Sequence, residues 1–312
     1  MATALLTHDD CLKHVNPPGH PERVERLQAI DAALQSEEFA YLLRVEAPLA
    51  TDAAIERAHP AAHIAALASR VPNHGFATID GDTFLSPGTL AAARRGAGAV
   101  VEAVDMVLSG EVRNAFCAIR PPGHHAETAT AMGFCYFGNA VIGARHALDH
   151  HGLERVAIVD FDVHHGNGTQ DLVWNDPRIL FCSTHQMPLY PGTGAADETG
   201  AHGQIVNVPL PPGASGAVFR AGILGRVLPA LETHRPELII ISAGFDAHAR
   251  DPLANLGLLE SDYAWVTERL CEVADRHCRG RLVSTLEGGY DLSALASSVA
   301  AHVRTLMERG HG

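Results

Sequence analysis

No run of apolar residues in the 312-residue sequence approaches the roughly 20 that a membrane-spanning helix requires. Residues 1–10 lack both a basic start and a long apolar stretch, which predicts no secretory signal and a cytoplasmic protein. Linkers rich in Pro, Gly or Ser, low-complexity tracts and fixed-period repeats are all missing, so one domain over residues 1–312 is the simplest organisation. None of the six cysteines (Cys11, Cys117, Cys135, Cys182, Cys271, Cys278) forms a C-x-x-C pair, which removes zinc ribbons and dithiol redox motifs. Several lie in apolar runs and read as buried thiols. Basic residues are in deficit, 23 against 36 acidic, for a net charge of -13. Binding a phosphate backbone wants a basic face, so no nucleic-acid partner is expected. An acidic surface serves solubility and also tolerates or attracts cationic ligands such as lysine-rich segments or polyamines.

What the chain has in excess is histidine, 20 residues. Chance at that frequency gives about one adjacent pair, and three occur: His124-His125, His150-His151 and His164-His165. A pair alone therefore says little, and its surroundings decide.

Short apolar runs alternate with longer segments of helical period, a pattern that predicts an α/β fold with a mostly parallel sheet flanked by helices. The expected strands are 4–6, 115–119, 156–160, 179–183, 205–208, 238–242 and 282–286. The expected helices are 22–34, 90–108, 139–150, 218–231, 262–277 and 292–307. Residues 59–88, broken by Pro and Gly, read as a surface loop region able to line the mouth of a site. Within it Asp80 and Asp82 are carboxylates suited to backbone amides or to a turn. Glu22 suits the positive end of the first helix, and Arg26 one turn later reads as a solvated charge.

Chemistry concentrates where strands end. After the strand 156–160 comes Asp160-Phe-Asp-Val-His-His-Gly-Asn-Gly-Thr-Gln170, with carboxylates and imidazoles that are zinc-type ligands. Asp162 and His164, two apart on an extended backbone, point to one side, while the following turn can rotate Asp160 away. After the strand 115–119, Arg120-Pro-Pro-Gly-His-His-Ala126 puts two imidazoles in a stiff loop outside the carboxyl end of a sheet strand, where open α/β sheets bind ligands. His150-His151 instead sits at a helix end, where interaction with the dipole accounts for it. Asp246 follows the strand 238–242, and with Asp162 and His164 it would complete three ligands with an open fourth position. Glu287-Gly-Gly-Tyr290 follows the strand 282–286, and the Tyr290 hydroxyl stays a donor at neutral pH.

Taken together, HPE (20–22), RPPGHHA (120–126), GFCYF (133–137), DFDVHHGNGTQ (160–170), SAGFDAH (242–248) and EGGY (287–290) resemble, in order, the motifs of the zinc-dependent histone deacetylase family. The resemblance is to its class II-like and bacterial amidohydrolase branch, and it spans nearly the whole chain. It implies the arginase/deacetylase fold, with a sheet of about eight strands. It implies one zinc ion held by Asp162, His164 and Asp246. His125 would be the general base and later acid, His124 its electrostatic partner, with Asp160 orienting His124 and Asn167 orienting His125. Asn in place of the Asp of other members leaves the two imidazoles different in basicity. Tyr290 would hydrogen-bond the scissile carbonyl oxygen, Phe134 and Tyr190 would line an acyl-lysine tunnel, and Asp82 would hold substrate backbone at the rim. Arg26 matches a residue near the acetate-release channel. Potassium is implied near Asp160, Asp162, His164, Ser183 and Thr184. Gly138 departs from the family pattern, where Asn is common.

The implied activity is hydrolysis of N-acyl amides, with an acetylated lysine peptide or protein, or a small acylated amine, as partner and no nucleic acid or membrane. A homo-oligomer is compatible with the composition. Leu253 stands where polyamine-deacetylating relatives carry an acidic gatekeeper, which tilts the expectation towards acyl-lysine over acetylpolyamine. A low-turnover binding module would hold zinc without hydrolysing any acylated amine. A ureohydrolase would hold two manganese ions, for which no second aspartate-rich ligand set is visible.

Overall fold

The computed structural model describes residues 2–310. In chain order the elements are β1 (Ala2–Thr7), α1 (Glu25–Leu34), β2 (Leu43–Glu46), α2 (Asp52–Ile55), α3 (Ala61–Arg70), β3 (Ala77–Thr78), β4 (Phe84–Leu85), α4 (Thr89–Ser109), β5 (Val112–Cys117) and α5 (Asn139–Asp149). There follow β6 (Val156–Asp160), α6 (Asn167–Val173), β7 (Ile179–Gln186), β8 (Ile205–Leu210), α7 (Gly216–Gly222), α8 (Leu228–His234), β9 (Leu238–Ala243), α9 (Glu260–His277), β10 (Leu282–Leu286) and α10 (Leu292–Gly310). Eight strands form one sheet in the order β2-β1-β5-β10-β9-β6-β7-β8, and every neighbouring pair is parallel. The small β3–β4 hairpin lies apart from it.

Parallel strands need a crossover between them, and the crossovers cover both faces of the sheet. Helices α4 and α5 pack together against one face, and α1, α9 and α10 pack on the other. Strands β6, β7, β9 and β10 are consequently buried along their whole length, which is why they read as unbroken apolar runs rather than alternating ones. All six cysteines are buried and free.

Several regions depart from the sequence expectation. The stretch 59–88 contains α3 and the β3–β4 hairpin rather than loop alone. Pro60 and Pro72 bracket α3, so the prolines mark a helix start and stop, while His63, Ile64 and Leu67 supply its buried face. The expected helix 218–231 is divided, with a wide π turn at Ile223–Val227 between α7 and α8. Pro229 lacks an N–H and crowds the carbonyl four residues earlier, which favours that wider turn. Strand β2 is not expected from the sequence because it is a sheet edge with mostly exposed residues, Leu43-Arg-Val-Glu46, and shows no apolar run. The short helix α6, inside the 160–170 stretch, was likewise not expected.

Candidate active site

Four adjacent central strands, β5, β10, β9 and β6, end at the same edge of the sheet, and their loops converge there. The loop after β6 brings Asp162 and His164, and the loop after β9 brings Asp246. His164 Nδ1 lies 3.1 Å from Asp162 Oδ1 and 3.1 Å from Asp246 Oδ2. One donor atom from each of the three lies within 4.8 Å of the other two. Both carboxylates are fully buried. Their remaining contacts fix their orientation: Asp162 Oδ2 accepts the Gly288 N–H at 2.7 Å, and Asp246 Oδ1 accepts the Val163 N–H at 2.8 Å. A Cβ on Gly288 would sit 2.1 Å from Asp246 Oδ2 and 2.5 Å from Asp162 Oδ2, so the glycine is required for the β10 loop to approach.

Two buried carboxylates side by side repel. Burial, followed by the Asp162 charge, pushes the Asp246 carboxyl up to about 7. Two oxygens and one imidazole nitrogen, converging on a cavity, form a donor set suited to a divalent ion of the zinc type. The residues present therefore fit the metal that the motifs imply.

Asp160 does not join this trio. Its Oδ1 accepts the Asp162 N–H at 3.0 Å and its Oδ2 faces His124 Nδ1 at 2.9 Å. Asn167, at the start of α6, offers Oδ1 to His125 Nδ1 at 2.7 Å, and its amide donates to Glu127. The two imidazoles lie side by side with ring centroids 4.0 Å apart. Their environments drive them in opposite directions. Burial depresses His124, but the charges of Asp162 and Asp160 outweigh it and raise that imidazole well above its usual range. Burial and the neighbouring His124 push His125 well below it. His125 is thus the neutral member of the pair, able to accept a proton at the nitrogen facing away from Asn167.

Tyr290 is held from three sides. Asp251 Oδ2 accepts its backbone N–H at 2.7 Å, and the Arg26 guanidinium lies 4.9 Å from its ring centroid. Phe134 meets the ring edge-on at 6.1 Å. Burial raises the phenol well above its usual value, so the hydroxyl keeps its proton.

Above these groups opens a cavity of about 400 Å³, walled by Phe84, Phe134, Leu189, Tyr190 and Leu253, with His125, His164 and Tyr290 at its depth. Asp82 lies at the same cavity, half-buried, with its carboxyl raised by burial and by Asp80. Asp80 serves as the turn residue, accepting the N–H groups of Asp82 and Thr83. His20 packs on Phe134 at 4.7 Å and bonds the Asp82 carbonyl, which ties the first loop to the rim. Gly133 adopts φ 54°, and a Cβ there would lie 2.5 Å from His125 Cδ2. The unusual Gly138 is accommodated against Leu172, whose Cδ1 would lie 2.6 Å from an added Cβ.

Ser183 pairs with Asp160 across the sheet, and the Thr184 hydroxyl beside it is buried with no hydrogen-bond partner among the described residues. His165 is spoken for, by Thr193 Oγ1 at 2.7 Å and Gln170 Oε1 at 3.1 Å.

Arg26 is not a solvated charge. It is fully buried with Glu22 and Arg120, and its guanidinium holds the Glu287 and Gly289 carbonyls. Nothing in the local sequence marks it for burial. Glu287 is a further site residue that the sequence reading does not single out. Its Oε2 accepts the N–H groups of Gly123 and His124 at 2.7 and 3.2 Å and so sets the histidine loop. The signal lay in the EGGY motif itself, where Glu precedes the glycines.

Comparison with known proteins accords with this geometry. The family model for the histone deacetylase domain matches residues 20–306. The chain is 41% identical to a probable deacetylase of Archaeoglobus fulgidus over 94% of its own length and 82% of the relative's. It is 39% identical to a histone deacetylase-like amidohydrolase of Pseudomonas aeruginosa over 88% and 74% of the two chains. The crystal structure of the HDA15 HD domain superposes with a TM-score of 0.93 at 34% identity, covering 98% of this chain and 88% of that one. From the converging strand ends to the matched domain, the chain belongs to the histone deacetylase family.

Proposed function

We propose that this deacetylase-family hydrolase removes acetyl groups from lysine side chains with the help of one zinc ion held by Asp162, His164 and Asp246. The observation that carries the reading is the meeting of that donor trio with His125 and Tyr290 at the end of an apolar cavity. Bound there, zinc supplies Lewis acidity towards an amide carbonyl and acidifies water. The chain's residues do the rest. The apolar walls at Phe134 and Tyr190 hold a flat acyl-lysine stem and exclude bulk water. His125 accepts the proton of the attacking water and returns it to the leaving amine. His124, paired with Asp160, stabilises the charge that develops. The Tyr290 hydroxyl donates to the carbonyl oxygen as it becomes negative. Potassium beside Asp160, Asp162, His164, Ser183 and Thr184 belongs to the same proposal, and the orphaned Thr184 hydroxyl supports it.

Leu253 at the cavity wall favours acyl-lysine, since it cannot pair with a distant ammonium. Asp82 at the same cavity supports the second reading, an acetylpolyamine amidohydrolase. Turnover of acetyl-lysine peptides against acetylputrescine separates the two, and the peptide is expected to react faster. Tyr290→Phe should lower kcat by about 10²–10³, the typical cost of losing one oxyanion donor. Parental turnover in that variant would overturn the mechanism.

A further inference from the structure

Far from the active site, the last turn of α5 and the residues after it gather three imidazoles. His146 is in the helix, His150 caps it and His151 follows. Each offers a ring nitrogen within 4.8 Å of the other two. Their centroids are 4.8 Å (His146–His150), 4.9 Å (His150–His151) and 5.3 Å (His146–His151) apart. Three imidazoles on one tetrahedral ion with bonds of about 2.0–2.1 Å have centroids about 5 Å apart, so the rings already occupy the right volume.

Asp105 of the neighbouring α4 supplies an oxygen. Its Oδ1 lies 2.7 Å from His146 Nε2 and 2.5 Å from His151 Nε2. An ionised carboxylate only accepts, so both nitrogens carry their protons toward that oxygen. Burial opposes ionisation of Asp105, but the hydrogen bonds from His151 and His146 overcome it and lower its carboxyl. Burial depresses His146, which favours the neutral imidazole that ligates metals.

Asp105 accounts for two of the rings but not the third. His150 is exposed, and its ring makes no hydrogen bond among the described residues, only its stack on His146 and its edge contact with His151. The cluster also sits at a helix C-terminus, whose unpaired carbonyls favour a cation. His146 and His150 are four apart on one helix face, a spacing that lets two imidazoles share an ion.

We propose that His146, His150, His151 and Asp105 form a second metal site, for a zinc-type divalent ion in an N₃O set, separate from the catalytic trio. For His146 and His151 to bind through Nε2 as neutral rings, the proton on that nitrogen moves to Nδ1, and small rotations of the exposed His150 and His151 side chains draw the ring nitrogens, which lie within 4.8 Å of one another, to the about 3.3 Å of a tetrahedral set. The ion would tie α4 to the end of α5.

The test uses protein carrying its catalytic zinc, titrated with cobalt(II) and followed by visible absorption. Zinc content is measured alongside, so that cobalt entering the catalytic trio is counted separately. Wild-type protein should take up one further equivalent with the intense bands of a four-coordinate site. His150→Gln/His151→Gln should bind that equivalent at least tenfold more weakly while retaining zinc and deacetylase activity. His150→Gln alone, which breaks no hydrogen bond, should weaken it in the same direction and guards against a misfolded double variant. Absence of a further equivalent in the wild type, or equal uptake by both variants, would overturn the site.

Discussion

Replacing Glu22 by glutamine tests the buried charge network under Tyr290. The carboxylate is fully buried and faces two guanidiniums that are also fully buried. Oε1 accepts from Arg120 Nε, in a very short contact, and from Arg26 Nη1 at 3.2 Å. Oε2 accepts from Arg120 Nη2 at 2.7 Å and from Asn16 at 3.0 Å. Burial by itself would raise the Glu22 carboxyl, but the Arg120 charge and then the His14 hydrogen bond hold it well below the usual range. The two guanidiniums therefore favour its anionic form. Glutamine keeps the volume, removes the carboxylate that both guanidiniums share, and turns an NH₂ group toward donors. Breaking a buried pair in this way costs about 3–5 kcal/mol. At about 2.1 cal/mol/K per residue the unfolding entropy of a chain this long is near 0.65 kcal/mol/K, so the midpoint should fall by about 5–8 °C. Arg26 also holds the Gly289 carbonyl at 2.6 Å and the Glu287 carbonyl at 2.5 Å. Loosening it frees the loop carrying Tyr290, so kcat should drop in the variant even at temperatures where it is fully folded. Calorimetry and steady-state kinetics on Glu22→Gln read both effects. A midpoint within about 2 °C of the parent, together with unchanged kcat, would refute the idea that this charge secures Tyr290.

Other outcomes follow from particular contacts. Gly133→Ala adds a Cβ 2.5 Å from His125 Cδ2 at a positive φ, so kcat should fall by at least an order of magnitude while metal content is retained; wild-type kcat would show that the His125 ring has room to move. Leu253→Glu should shift selectivity toward acetylputrescine over acetyl-lysine peptide by about three- to fivefold, the scale of an exposed ion pair, and no shift would mean that Leu253 does not meet the distal amine. Acid should destabilise the fold through His302 and His59, whose pKa values fall from 6.5 to about 3 and about 4, with burial the leading cause. His59 accepts the Gly138 N–H at one ring nitrogen and donates to the Thr128 carbonyl from the other, and His302 bridges the Thr267 and Ser284 hydroxyls, so both are held neutral. Below pH 6.5 the unfolded chain binds these protons and the native one does not, so stability present above 6.5 is lost as pH falls toward 3–4, by at most about 1.4 kcal/mol per pH unit per group. Urea midpoints at pH 7.5 and 5 measure the loss, and His302→Phe should start less stable yet lose less on acidification; an equal loss would exclude His302 as a source.

Local chemistry makes part of this protein readable without coordinates. Runs such as Leu238–Ser242 are apolar because a parallel strand is covered on both faces, so the sheet shows through as composition. Asp162 and His164 are close in the chain, and their shared side follows from the period of an extended backbone. Phe134 at the cavity wall and Tyr290 were legible only as motifs resembling a family, since nothing local makes either residue more than packing. What no local pattern contains is the sheet order. Only the placement of β5, β10, β9 and β6 side by side brings Asp246 and Tyr290 to the histidines. Burial is likewise a tertiary property. Arg26 reads in the sequence as a solvated charge and Glu22 as a helix-start residue, and it is the packing of the first loop against the Glu287–Tyr290 loop that removes them from water. The imidazoles of His124 and His125 are identical neighbours in sequence, yet one faces Asp160 and the other Asn167, and that difference sets their opposite basicities. Residue type thus determined which chemistry the chain could perform. The fold decided which groups are desolvated together, and electrostatics strengthened by that desolvation decide which of them perform it.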